Sequence, residues 1–202
     1  MFPLVLLVAA FTLSFSTTKA QTSDVTCSSG YDWARNSGWQ TPCMVAAILE
    51  AVAACNPRGY TIHPLSPGNR YSGPTADPST QNACICSTVM YELVSACGAC
   101  QGASWIGWDA WSANCPSNLI TISYYSQYIP DNTAIPAWAF YNPRFSGGSY
   151  DPVVARQIAG KFIYLLIVGL RPTWEVELIS SNLDMQIILG RSGMSARHWS
   201  RT

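Results

Sequence analysis

The residues of this 202-residue chain best equipped for chemistry are its eight cysteines, Cys27, Cys43, Cys55, Cys84, Cys86, Cys97, Cys100 and Cys115. Three chemistries use cysteines spaced this closely. Zinc would take Cys84-x-Cys86 with Cys97-x-x-Cys100, but the set lacks a paired C-x-x-C, the chain has only two histidines, and exported thiols oxidise. A redox dithiol would use Cys97-Gly98-Ala99-Cys100. Such pairs sit at a helix N-terminus, where the dipole lowers the thiol pKa, whereas this one falls at the end of a predicted helix. Structural disulfides fit best, because the cysteine count is even and confined to residues 27–115. No metal and no cofactor are expected.

Other reactive groups are sparse. His63 falls in a proline-rich loop and His198 in the tail, and neither G-x-S-x-G nor H-E-x-x-H occurs. A hydrolase of sugars would need two carboxylates held close together. Spacing alone cannot pair Asp32, Glu50, Glu92 and Asp109; Glu50 and Glu92 read as solvated helix positions and Asp109 as the cap of a tryptophan turn. An enzyme is therefore the least supported reading. Trp105, Trp108, Trp111 and Trp138 leave two others. They form a binding surface for an extracellular protein or a wall polysaccharide, or they are core and the domain is a structural or protein-interaction module. The core reading is favoured, since a small disulfide-bonded fold needs its large aromatics inside.

The elements that must position these residues follow from local pattern. Residues 1–20, an apolar run ending in Thr18-Lys19-Ala20, read as a signal peptide, with a cysteine-rich extracellular domain over 21–152 and a tail over 153–202. Residues 21–152 carry eight acids and four basic residues, a balance of −4, while 153–202 carry three acids and six basic residues, a balance of +3. A mildly acidic ectodomain argues against nucleic acid as a partner, which calls for a basic face. Thr41-Pro42 predicts a helix start and CMVAAILEAVAAC a helical face reaching Cys55. Five prolines over residues 56–82 predict a long loop that must be tethered or mobile. A second helix is predicted from about Ala83 to Ala96, then a tryptophan turn, and a short strand from Leu119 to Tyr125. The fold class is mainly α: a disulfide-stapled antiparallel helix pair plus an aromatic turn, with long irregular loops and a short strand or hairpin.

Cys43 and Cys55 are twelve residues apart and Cys86 and Cys97 eleven, so the two pairs span similar helix lengths, roughly 17 to 18 Å. An antiparallel hairpin would bridge Cys55 to Cys86 and Cys43 to Cys97, leaving Cys27, Cys84, Cys100 and Cys115 to pair among themselves.

The order of motifs resembles an uncharacterised cysteine-rich family of mushroom-forming fungi: Asn36-Ser37, Gln40-x-Pro42-Cys43, Tyr71-x-Gly73-Pro74, Asn82-x-Cys84-x-Cys86-Ser-Thr-Val, Ala96-Cys97-x-x-Cys100-Gln101, Trp108-x-x-Trp111 and Ile135-Pro136-x-Trp138-Ala139. That resemblance, over residues 27–152, implies a signal peptide, a secreted ectodomain, one membrane span and a polar tail, and brings no enzyme or ligand. Here Phe162 to Leu170 is only nine apolar residues, short of the roughly 20 that cross a bilayer. A poorly ordered tail from Gly160 is expected. Back-translation through Gly160-Lys161 contains a splice-donor-like GTAAGT, so a truncated or mis-spliced anchor is the matching hypothesis. Membrane attachment is expected only if the native C-terminus carries a full span.

Overall fold

The computed structural model describes residues 22–167, and the side chains of residues 22–161. Its centre is a helix pair. The first helix, α1 (Pro42–Glu50), starts where Thr41 and Pro42 place it, with the Thr41 hydroxyl accepting from the Met44 N–H. Small and apolar side chains on nearly every side let it run through the core, so Cys43, Val45, Ala46, Ala47 and Leu49 have no exposed surface. It ends five residues before Cys55. The Tyr125 hydroxyl donates to the Leu49 carbonyl at 3.0 Å, and the Cys55 and Asn56 N–H groups both turn back onto Val52 O.

The second helix, α2 (Thr88–Ala99), is buried at every position. It begins later than expected. Asn82 Oδ1 accepts from the Cys84 and Ile85 N–H groups, making a side-chain-closed turn, and the helix is capped only by Ser87, whose hydroxyl accepts from Met90. Cys84 and Cys86 therefore lie in the approach turn and not on the helical stripe.

That turn explains the disulfides. Cys43 and Cys97, near the start of α1 and the end of α2, are bonded with Cα atoms 4.8 Å apart, which sets the two helices antiparallel. Cys55, however, bonds to Cys84, and Cys86 bonds to Cys115. The expected Cys55–Cys86 bridge is corrected because neither residue is helical, so a ruler of helix length does not reach them. Cys27 bonds to Cys100, and all eight cysteines are paired.

Around the pair, little is strand. Thr22–Ser23 (β1) runs parallel to Thr61–Ile62 (β2). The expected strand over 119–125 is reduced to one bridge, Thr121 with Ser87, because Ser123 takes a left-handed backbone and gives its N–H to the Thr88 hydroxyl. The proline-rich loop is tethered at both ends: the Cys55–Cys84 bridge closes it, Gln101 bonds to Leu65 and Tyr71, and Asn114 donates to Pro74 O. The tryptophan turn is a five-residue helix, α3 (Trp108–Ser112), tied to the approach turn by the Trp111 indole donating to Ile85 O.

A further helix, α4 (Pro152–Ile167), crosses the expected domain boundary at 152/153. Asp151 Oδ1 accepts from the Val153 and Val154 N–H groups, and Ala155 and Ile158 are buried against the 3-10 turns Ser29–Ala34 and Ala137–Phe140. The start of α4 thus packs on the elements that precede it, and the helix runs on to Ile167. The remainder of the tail and the N-terminal segment read as a signal peptide lie outside the described residues. Among the described residues no helix is long and apolar enough to cross a membrane.

Candidate functional site

The four tryptophans singled out from sequence do not form a surface. Trp108 and Trp138 are fully buried, Trp111 is nearly so, and Trp105 is half-buried. Trp108 and Trp111 each meet the Tyr91 ring edge-on at 5.6 and 5.7 Å, and the Trp105 indole donates to Tyr150 O. The cleft beside Trp105 and Trp111 has no room for a water molecule. These rings are the core that the cysteines brace.

The groups considered for catalysis are also dispersed. His63 is exposed and faces Asp24 at 3.2 Å, Asp32 pairs with Arg35 at 2.9 Å, and Asp109 is an exposed residue of the first turn of α3 with no cap bond. His198 lies outside the described residues. The sulfurs of Cys27, Cys43 and Cys100 come together, but all three belong to disulfides, so they are not available as thiolate ligands.

Glu50 and Glu92 correct the solvated reading: they are 5% and 1% exposed. Burial pushes the Glu50 carboxyl up to about 7, although Asn82 donates to its Oε1 at 2.8 Å and draws it part of the way back. Burial holds Glu92 well above the usual carboxylate range, and the negative charge of Asp151 adds to this. Glu92 Oε1, Trp138 Nε1 and Tyr150 Oη are buried without partners among the described residues. A carboxyl so enclosed cannot meet a substrate, so Glu92 and Asp151 are not a hydrolytic pair.

Two aromatic features do reach the surface. The first is Trp39, the most exposed of the six tryptophans in the described residues at 76%. Its backbone φ is 60°, a left-handed conformation that costs a bulky residue roughly 1 to 3 kcal/mol. The surrounding turn is locked. Buried Asn36 accepts from the Gly38 and Gln40 N–H groups and donates to Gln40 Oε1 and Ala134 O. Arg35 donates to Trp39 O, the Thr133 hydroxyl donates to Gln40 Oε1, and Gln40 donates to Asn132 O. From sequence the stretch from Cys27 to Trp39 is a glycine-broken, aromatic loop, with no sign that a tryptophan would be held outward by it.

The second is an open groove of about 530 Å³ between the Ser29–Ala34 turn and the first turns of α4. Tyr31 and Trp33 line one side, their ring centroids 5.7 Å apart and their planes tilted by 32°. Val153, Arg156 and Gln157 line the other. Trp33 leans edge-on against buried Trp138 at 6.1 Å, so the groove wall is rooted in the core.

No family model, no curated protein and no solved structure matches the chain.

Proposed function

We propose that this is an extracellular protein-interaction module, a disulfide-braced scaffold that presents Trp39 to a partner. Four disulfides fit an oxidising, extracellular setting, and the resemblance to the fungal ectodomain family points the same way. The observation that carries the reading is Trp39. An indole gains nothing from exposure, and a left-handed backbone at tryptophan costs stability, yet seven hydrogen bonds hold this geometry in place. Exposed, rigidly held tryptophans are the residues that carry interface energy, because their large area is ordered before binding.

The test is a photo-crosslinking amino acid placed at position 39 of the secreted protein, with a second at exposed Ala76 as control. A discrete adduct with one extracellular protein is expected from position 39, competed by unlabelled wild type and not by Trp39→Ala. The same adduct from position 76, or equal competition by Trp39→Ala, would show that Trp39 is not the contact.

A further inference from the structure

We infer that the groove between the Ser29–Ala34 turn and α4 binds a linear glycan carrying carboxylates, a polyuronate. The site is separate from Trp39 and does not depend on its role. Tyr31 and Trp33 are half-buried, neighbouring rings tilted by only 32° to each other, and they give the groove an aromatic wall against which the C–H faces of a sugar chain can lie. Across the groove Arg156 is exposed and its guanidinium makes no ion pair or hydrogen bond among the described residues, while Gln157 beside it is also exposed.

Charge selects among sugars. A guanidinium is built for two parallel hydrogen bonds to a carboxylate, so Arg156 matches a uronate and has no equivalent partner on a neutral glucan. Of the other charges nearby, Arg35 and Asp32 pair with each other, and Asp151 spends one oxygen capping α4. Residues 22–167 carry eight acids and six basic residues, a balance of −2, so a polyanion is not drawn to the domain at large and is retained only where a local cation meets it. The groove is open, which suits a chain passing through more than a small molecule enclosed.

The experiment is titration calorimetry of the full secreted chain with oligogalacturonate and with the same oligosaccharide after carboxyl reduction. Wild type is expected to bind the uronate and to bind the reduced sugar at least about tenfold more weakly. Arg156→Gln, a change at an exposed side chain that leaves the fold intact, is expected to lose about tenfold or more for the uronate and nothing for the reduced sugar. Trp33→Ala is expected to weaken both. Arg144→Gln removes an exposed charge outside the groove and is expected to bind the uronate like wild type. Absence of uronate binding, equal affinity for the reduced sugar, or unchanged affinity in Arg156→Gln would each overturn the assignment. Equal losses in Arg144→Gln and Arg156→Gln would overturn it too, by showing adsorption to charge in general.

Discussion

Glu50→Gln is expected to make the domain more stable at pH 8 by up to about 3 kcal/mol, and to leave it unchanged near pH 4. The unfolded glutamate titrates near 4.5 and the folded one near 7, and that gap is worth about 3 kcal/mol at about 1.4 kcal/mol per pH unit. The sign follows from proton binding. Between those values the folded state holds a proton that the unfolded state has lost, so wild-type stability falls as pH rises from 4.5 to 7 and is flat beyond. Glutamine keeps the acceptor for Asn82 and carries no charge to ionise, so this part of the slope disappears. Glu92 lies in the same direction, and a Glu50→Gln, Glu92→Gln double variant should flatten the profile further. The check is urea unfolding of each protein from pH 4 to pH 8. A wild type that gains stability across this range would mean that these carboxylates are ionised and paired in solution.

Gly73→Ala is expected to destabilise the domain by about 3 kcal/mol or more, the upper end of overpacking costs. A methyl at this position would sit 1.9 Å from the Trp111 carbonyl oxygen and 2.7 Å from its carbon. Both are backbone atoms of α3, which the Trp111 indole and the Cys86–Cys115 bridge tie to the approach turn of α2, so the clash cannot relax by rotating a side chain. Gly68→Ala is the internal comparison, since its methyl would meet nothing and its cost is only that of a positive φ, about 1 kcal/mol. Thermal unfolding of both variants gives the comparison; equal losses would place Gly73 away from α3.

These two sites also mark what could be read from the chain. Local chemistry was legible: Thr41-Pro42 starts α1, the cysteine pattern gives a disulfide framework, and the helix ruler gives Cys43–Cys97. Gly73 stood out in Tyr71-x-Gly73-Pro74, but its reason is a backbone that arrives from residue 111. What failed depended on distant partners. Glu50 looks solvated until Asn82, Tyr60 and Tyr125 are brought around it, and α1 looks longer until Tyr125 claims the Leu49 carbonyl. The start of α2 turned on a contest between Asn82 and Ser87 as the residue that closes the turn, which apolar periodicity does not register. Trp39 is held outward by residues 132–134, more than ninety positions away, and no local pattern announces it.

The proposed presentation of Trp39 and the groove beside α4 both rest on an oxidised scaffold in which α1 and α2 are clasped and the N-terminal turn is fixed to the end of α2. Non-reducing peptide mapping by mass spectrometry of the purified protein tests that directly. The structure predicts four linked pairs, Cys27 with Cys100, Cys43 with Cys97, Cys55 with Cys84 and Cys86 with Cys115, and no alkylatable thiol. A Cys55–Cys86 link, a Cys27–Cys43 link, or free thiols in the folded protein would contradict it.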